Sequence, residues 1–410
     1  MKRVLVAVAA AVGIATGVLA DPDDLAKVDL AKLEYSTVMY DGIILTGELK
    51  KNVKISIVDG ATVTLRDVTI HGVNDSKYKW AGITCLGNAT LVLEGGNAVI
   101  GFHEDYPGIY VPPGKTLTIK GWGTLSTGPC AGGFAAGIGG GWDRPCGNIV
   151  IDSGNIYAQA FSCAAGIGGV TGVSGDITIN GGTVIAKGGY GIKFNGELKY
   201  NGGAGIGGGH IGSCGNITIN GGNVSAEGGT NASGIGAAST KSCGNITISG
   251  GTVTAKGCVS GAGIGSAFGG AGNILISGGT VRATGGETAP GIGAGENGLC
   301  ASLTITKGVE SVCALPGKDC ENPIGAGVNG NCPSIDVASE LPSVTSGRTR
   351  IFGKRIDLGV LSGVKATIPD GVTLTGTLVN DCKISIAAGA TVTLDKVRIQ
   401  GGNDWHWPTQ

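Results

Sequence analysis

The chain has 410 residues, of which 81 are glycine, 14% are charged and 5% are aromatic. Glycine at this level without a strict three-residue period excludes collagen, and a formal net charge of −1 gives no support for a nucleic-acid or anionic-membrane partner. Regularly spaced Ile and Val, within a hydrophobic content of 41%, predict a chain that buries a core rather than a disordered one.

The N-terminus has the pattern of a secretory signal. Lys2 and Arg3 form a short positive region, residues 4–19 are apolar, and Ala20 supplies a small residue for cleavage. The alternative is an uncleaved membrane anchor, although the apolar run is short for a spanning helix. We therefore expect a mature chain that starts at Asp21, is secreted or held at a cell surface, and has no integral membrane segment after signal cleavage.

Short alternating strands follow the signal. Residues 21–40 are polar and are expected to cap the first coil of a stack. From Asp41 onward, apolar and polar residues alternate in short runs that glycines separate, a pattern that fits a β-sandwich, a barrel or a β-helix. The predicted early strands are Ile43–Leu45, Val53–Ile57, Ala61–Leu65, Val68–Ile70, Ile83–Leu86, Thr90–Leu93, Ala98–Ile100, Gly108–Val111 and Thr116–Ile119.

Six copies of a Gly-Ile-Gly core decide between these architectures, because they recur at intervals of 29, 39, 29, 29 and 28 residues. Two further short strands follow each core. The pattern predicts an all-β, single-stranded, right-handed parallel β-helix (solenoid) with coils of about 29 residues, whose stacking supplies the core. We expect the isoleucines to point inward and the glycines to lie outward or at corners. The core isoleucines are Ile138, Ile167, Ile206, Ile235, Ile264 and Ile292.

The one long interval predicts an insertion of about ten residues at Gly189–Gly202. A second repeat operates at a constant offset of 329 residues, so that Gly60–Leu65 (Gly-Ala-Thr-Val-Thr-Leu) returns as Gly389–Leu394. The predicted divisions are a signal peptide (1–20), a β-helix domain (21–340, with glycine-rich repeats at about 130–335), and a junction with the truncated start of a second domain copy (341–410).

The chain contains 12 cysteines, which a secreted protein can oxidise. Equivalent positions on adjacent coils lie about one strand spacing apart, which a disulfide can bridge. The candidate pairs are therefore Cys214 with Cys243 and Cys300 with Cys332. The alternative is a stack of free, buried thiols that act as small apolar residues. Five cysteines share this repeat position and Ala271 interrupts their column: Cys146, Cys214, Cys243, Cys300 and Cys332.

Other chemical motifs are not supported. The glycine-rich runs lack the Gly-Lys-Ser/Thr context of a phosphate loop and a recurring calcium-binding aspartate, so no nucleotide, cofactor or metal is predicted. Acid chemistry needs two carboxylates close together in space. The local clusters with acid–base groups are His103-Glu104-Asp105 and His71 with Asp75, and we assign no catalytic residue.

Aromatic residues are few, which gives weight to those at corners and in the insertion. Flat rings in such places can stack on sugar faces, or they can seal irregular contacts between coils. The candidate ligand-binding residues are Trp122, Trp142, Tyr190, Phe194 and Tyr200.

Two sequence segments, Pro107–Ile119 and Gly121–Leu125, precede the repeats Ala-Gly-Ile-Gly-Gly and Asn-Ile-Thr-Ile-x-Gly-Gly-x-Val. Together they resemble a family of bacterial secreted and cell-surface glycine-rich β-helix proteins that are often described as adhesin-like or carbohydrate-binding-domain-like. The resemblance implies a non-catalytic protein for adhesion or glycan binding, with a polysaccharide or a host or cell-surface glycan as partner. The alternatives are a β-helix enzyme of the polysaccharide lyase or hydrolase type and a purely structural repeat fragment.

Overall fold

The computed structural model describes residues 27–238, 240–363 and 365–399. The predicted signal peptide and the last residues of the predicted second domain copy lie outside the described residues. In the described part, the helices are two short 3-10 turns, Leu30–Lys32 and Leu358–Val360, and no helix there is long and apolar enough to cross a membrane.

Most of the described chain winds into coils of three strands, which we call the Gly-Ile strand, the middle strand and the third strand. The Gly-Ile strands form an 11-stranded sheet. They are Thr37–Met39, Ile55–Ile57, Ile83–Cys85, Ile109–Tyr110, Ile138–Gly139, Ile167–Gly168, Ile206–Gly207, Ile235–Gly236, Ile264–Gly265, Ile292–Ala294 and Ile324–Ala326.

The middle and third strands form one 22-stranded sheet, because the long strand Ala61–Ile70 contributes to both positions. The other middle strands are Lys27–Asp29, Ile44–Glu48, Ala89–Glu94, Thr116–Gly121, Asn148–Ile151, Ile177–Ile179, Ile217–Ile219, Ile246–Ile248, Gly270–Ile276, Leu299–Ile305 and Ile335–Val337. The other third strands are Gly96–Ile100, Thr124–Gly128, Asn155–Gln159, Thr183–Lys187, Asn223–Glu227, Thr252–Lys256, Thr280–Thr284 and Ser311–Leu315, and a hairpin of Ser343–Ser346 and Thr349–Gly353 completes the sheet.

Strands at equivalent positions pair in parallel with those of the next coil. Ile167 pairs with Ile206 across the long interval, and Ile206 pairs with Ile235 across a regular one. The isoleucines of the six Gly-Ile-Gly cores are completely buried, as expected for side chains that stack inside a solenoid. The prediction of an all-β parallel β-helix is therefore confirmed, whereas its handedness stays a prediction.

The glycines of the Gly-Ile strands are also buried, so they do not form the exposed outward face that the sequence suggests. Gly207 has φ +134°, and a Cβ atom added to it would lie 2.1 Å from the carbonyl oxygen of Gly236 in the next coil. The same close approach recurs at Gly168 and Gly236. Glycine is needed here because two backbones meet where no side chain fits.

A column of amide and carboxylate side chains joins successive coils just before the middle strands. In each link, a side-chain Oδ1 accepts the backbone N–H of the next residue in the column, at 2.6–2.9 Å. These bonds satisfy backbone donors at a corner, where strand pairing does not. We call this column the Asn/Asp ladder; its links are Asp59–Asn88, Asn88–Thr116, Asn148–Asp176, Asp176–Asn216, Asn216–Asn245 and Asn245–Asn273.

The parallel pattern changes after the last coil. The strand Thr349–Gly353 pairs antiparallel with the third strand Ser311–Leu315, and this pairing covers the edge of that strand. Beyond it, Arg355–Asp357, Val372–Leu378 and Val392–Ile399 form a three-stranded parallel sheet, and Lys365–Ile368 pairs with Lys383–Ile386. Their buried side chains form a second hydrophobic cluster, which also includes Cys313, Val344 and Ile351.

Residues 355–399 repeat the geometry with which the β-helix begins. Asp29 and Asp357 each accept the N–H of the residue two positions ahead and start a 3-10 turn. Asp41 and Asp370 each accept the N–H of a threonine 21 residues ahead, at 2.8 and 2.7 Å. The first pair is 328 residues apart and the second 329, so one residue is added between them. The domain boundaries and the truncated second copy stay predictions.

Candidate ligand-binding site

The regular coil is altered at the corners that flank the Gly-Ile strands, from His71 to Gly203. Because a Gly-Ile strand has only two or three residues, the corners before and after it lie close together. These corners carry most of the aromatic residues, whereas residues 204–326 contain only Phe268. The aromatic residues at these corners are Tyr78, Trp80, Phe102, Tyr106, Phe134, Trp142, Phe161, Tyr190, Phe194 and Tyr200.

The predicted insertion forms a β-hairpin, which we call the inserted hairpin. Its strands Ile192–Phe194 and Glu197–Tyr200 pair antiparallel, the only such pair within the coils of the described chain before residue 311. At its tip, Asn195 and Gly196 have φ of 51° and 84°. Two positive φ angles and an Asn-Gly dipeptide are typical of the tightest hairpin turns. This dipeptide could have identified the hairpin from the sequence.

A chain of edge-to-face aromatic contacts anchors the inserted hairpin to the coils. The ring centroids of Phe134 and Trp142 are 5.6 Å apart, those of Trp142 and Tyr200 are 5.9 Å apart, and those of Tyr200 and His210 are 5.0 Å apart. Trp142 and Tyr200 also pack against a small buried cluster that contains Cys163. Of the predicted ligand-binding residues, these two are therefore half-buried packing residues.

Two other predicted residues are exposed on the inserted hairpin. Tyr190 at its base is 70% exposed and Phe194 next to its tip is 64% exposed. The Lys199 ammonium lies 5.5 Å from the Phe194 ring and 5.3 Å from the Tyr200 ring, within the range of cation–π attraction. Glu197 pairs with Phe194 across the strands. The hairpin thus combines exposed rings with charged groups, and sequence reasoning had missed Lys199.

Trp122 lies apart from the other candidates. It is 72% exposed at the bend between a middle strand and a third strand, where its backbone N–H donates to the carbonyl oxygen of Leu93. That bend belongs to the 22-stranded sheet, whereas the inserted hairpin leaves the corner before the Gly-Ile strand Ile206–Gly207. The structure therefore brings Trp142 and Tyr200 together and does not join Trp122 to them.

The cluster His103-Glu104-Asp105 is the one group of at least three metal-ligand side chains that the described residues bring together, with ligand atoms within 4.8 Å of one another. His103 is buried, and its Nδ1 accepts the N–H of Asp105 at 3.2 Å. Its ring also packs edge-on against Tyr106. These contacts hold the loop in place, and only Nε2 remains as a histidine ligand atom.

Arg144 extends the same corner. Its guanidinium carbon lies 3.9 Å from the centre of the Tyr106 ring, and its buried Nε has no hydrogen-bond partner among the described residues. Burial raises the pKa of Tyr110, whose hydroxyl donates to the carbonyl oxygen of Pro145 at 3.4 Å. These groups join the corner after the strand Ile138–Gly139 to the preceding coil, which is a packing role.

One open cavity of about 460 Å³ lies at the other end of the coil stack, below the terminal hairpin. Ile324, Val337 and Phe352 line it together with Arg350. The Arg350 guanidinium donates to the hydroxyls of Thr345 and Ser343 and lies 5.5 Å from the Phe352 ring. Its donors are thus partly used within the hairpin, and the cavity is remote from the exposed aromatic residues.

Four segments of the chain match a family model described as "Beta helix repeat": residues 177–192, 217–239, 246–271 and 274–296. They cover about a fifth of the chain and fall in its most regular part, and the match is interrupted from 193 to 216, where the inserted hairpin lies. No curated protein and no solved structure matches the chain. The matched repeats and the strand register make the chain a parallel β-helix repeat protein.

Proposed function

We propose that the chain is a secreted or cell-surface bacterial protein that binds a glycan through the inserted hairpin and does not cleave it. Support for secretion comes from the signal pattern at Lys2–Ala20 and from the disulfide between Cys214 and Cys243, a bond typical of oxidising compartments. The glycan is a polysaccharide or a host or cell-surface glycan, as the resemblance to adhesin-like β-helix proteins implies.

The exposure of Tyr190 and Phe194 on an anchored hairpin is the observation that carries this proposal. Large exposed rings cost little entropy to place against a ligand, and their faces pack on the C–H groups of a sugar ring. The turn at Asn195-Gly196 and the contacts of Tyr200 hold the hairpin in one conformation. Preorganisation of this kind lowers the cost of binding.

Catalysis at this place has less support. Glycoside hydrolysis commonly uses two carboxyl groups, about 5 to 10 Å apart, on either side of the scissile bond. Residues 188–203 contain a single carboxylate, Glu197. The alternative of a lyase or hydrolase therefore finds no pair of acidic groups on the hairpin, and binding is the activity that its side chains support.

The proposal is tested by measuring binding of the mature chain to a glycan panel. Tyr190→Ala with Phe194→Ala should weaken binding about 10-fold or more, since a ring contact contributes roughly 1 kcal/mol and 1.4 kcal/mol is a factor of ten. Tyr35→Ala, at an exposed tyrosine far from the hairpin in the chain, is the matched control and should bind normally.

Three outcomes would reject the proposal. Absence of binding across the panel would remove glycan recognition altogether. If Trp122→Ala loses binding and the Tyr190→Ala, Phe194→Ala double variant does not, the binding site lies at the bend that carries Trp122. Release of reducing or unsaturated sugar ends from the bound glycan would show an enzyme instead of a binding protein.

A further inference from the structure

The strand register defines a single column of residues just before the Asn/Asp ladder. Cys146 pairs with Ser174, Ser174 with Cys214, and Cys214 with Cys243. Ala271 pairs with Cys300, and the bridge between Leu299 and Asn331 sets Cys300 beside Cys332. Hydrogen bonds from Cys243 to Gly270 and from Gly272 to Cys243 place Ala271 next above Cys243. The column therefore reads Cys146, Ser174, Cys214, Cys243, Ala271, Cys300 and Cys332.

This order arranges the cysteines in two adjacent pairs. Ser174 separates Cys146 from the first pair, and Ala271 separates the first pair from the second. Each paired cysteine has one cysteine neighbour in the column and one small residue or none. The sequence shows the interruption at Ala271, but Ser174 is revealed only by the register.

The first pair is already bonded. Cys214 and Cys243 form a disulfide with Cα atoms 4.4 Å apart, within the range that disulfides require. The Cys214 N–H donates to the carbonyl oxygen of Ser242, the residue before its partner. A single coil of the chain, 29 residues, lies between the two cysteines.

The second pair has the same backbone arrangement with reduced sulfurs. The Cys300 N–H donates at 2.9 Å to the carbonyl oxygen of Asn331, again the residue before the partner. Both side chains are thiols in the structure, and the Cys300 thiol donates to the carbonyl oxygen of Ser302 at 3.3 Å. One difference is that Pro333 has no N–H, so the return bond from Gly244 to Cys214 in the first pair has no counterpart here.

We infer that Cys300 and Cys332 form a second disulfide in the secreted protein, and that Ser174 and Ala271 keep the two disulfides from exchanging partners. Exchange needs a thiolate beside a disulfide sulfur. A serine and an alanine supply none, so the interruptions insulate each bonded pair from the next cysteine in the column. Cys146 then remains a free, buried thiol.

The reaction can be written with a disulfide oxidant such as oxidised glutathione. The Cys332 thiolate attacks one glutathione sulfur, a mixed disulfide forms, and one glutathione thiolate leaves. Cys300 then loses its proton and attacks the Cys332 Sγ, which closes the protein disulfide and releases the second glutathione thiolate. The protein thus gives up two protons and two electrons, and the oxidant is reduced to two thiols.

The environments of the two sulfurs suit these roles. Interaction with the neighbouring Cys300 thiol lowers the pKa of Cys332, which is also the more exposed of the two. The neighbouring Cys332 and burial raise the pKa of Cys300. Cys332 is therefore the thiol that ionises first, and Cys300 is the buried thiol that completes the bond.

A thiol count on the denatured, unreduced mature chain tests the second disulfide. Twelve cysteines less two for each disulfide leave eight thiols if the inference holds and ten if only Cys214 and Cys243 are bonded. Cys300→Ala with Cys332→Ala should leave eight thiols in either case, and alanine already occupies the column at Ala271. Peptide mapping should find residues 300 and 332 in one cross-linked species.

The role of the interruptions has its own test. Ala271→Cys places a thiol between the two pairs, and peptide mapping should then find it bonded to Cys243 or to Cys300 in a substantial fraction of the chains. Ala271→Ser is the matched control and should keep the native pairs. Ten thiols in the oxidised wild-type chain would overturn the second disulfide, and intact native pairs in Ala271→Cys would overturn the insulating role.

Discussion

Residues 204–326 and residues 71–203 form the same three-stranded coils, but the corners that connect their strands differ. In the first region each corner is short and glycine-rich, and the repeat keeps its length within a few residues. In the second region the corners carry ten aromatic residues and the inserted hairpin. Yet Ile167 pairs with Ile206 across the hairpin just as Ile206 pairs with Ile235 without it. Strand stacking therefore fixes the scaffold, and the corners are free to differ.

The comparison also separates two uses of small residues. At the Gly-Ile strands, glycine is required because the carbonyl of the next coil occupies the place of a side chain. At the tip of the inserted hairpin, Gly196 has φ +84° and no atom within 4 Å of an added Cβ. Only the first position is sterically closed, so the Gly-Ile strands should tolerate substitution least.

The largest effect is expected for Gly207→Ala. Its added methyl would lie 2.1 Å from the carbonyl oxygen of Gly236, and alanine does not readily adopt φ +134°. We expect a loss of about 3 to 5 kcal/mol in unfolding free energy, or a chain that does not fold. Gly196→Ala, with a positive φ but open space, should lose only about 1 kcal/mol. Urea denaturation followed by circular dichroism measures both, and equal losses would remove the distinction.

Deletion of residues 191–201 should destabilise the protein to an intermediate degree and should abolish ligand binding. The shortened corner would have the length of the corner at Gly228–Gly234. The contacts of Tyr200 with Trp142 and His210 would be lost, at a cost of about 1 to 3 kcal/mol. Thermal unfolding and glycan binding should be measured together. If the deletion variant does not fold, the hairpin is required for folding of the coils and is not a dispensable addition to them.

The Asn/Asp ladder runs through both regions, so its loss should cost the same in each. Asn245→Ala removes the acceptor for the Asn273 N–H, and Asn88→Ala removes the acceptor for the Thr116 N–H. Each should destabilise the protein by about 1 kcal/mol. Asn245→Asp keeps an acceptor and should change stability by less than about 0.5 kcal/mol. A much larger loss at Asn88 would mean that the aromatic corners rely on the ladder more than the regular ones.

The coil could be predicted from the sequence because stacking imposes a period. Ile206 and Ile235 must recur at one interval to lie in one column, and that interval is visible in the residues. The buried glycines could not be predicted in the same way. Whether Gly207 faces solvent depends on the distance between two backbones, which no local pattern of residues records.

The location of the candidate site could be predicted from the sequence, but which of its aromatic rings are exposed could not. Tyr190 and Tyr200 both lie in one insertion, yet the first is exposed and the second is packed on Trp142, 58 residues earlier in the chain. Burial of this kind follows from contacts between coils. The Asn/Asp ladder escaped prediction for a related reason, since each Asn looks like an ordinary turn residue until its partner in the next coil is known.

The smallest expected effect is a change in the pH dependence of stability, which arises from His210 beside the inserted hairpin. Burial lowers the pKa of His210, whose Nδ1 also accepts the N–H of Asn201 at 3.0 Å and must be unprotonated to do so. The unfolded chain therefore binds this proton more readily than the folded chain. The contribution of the neutral ring is complete above the ordinary histidine pKa of about 6.5 and falls as the pH drops below it. Thermal midpoints at pH 8 and pH 5 should thus differ more in the wild type than in His210→Gln. An unchanged difference in His210→Gln would assign the pH response to other groups and would weaken the case that the Tyr200–His210 contact holds the hairpin.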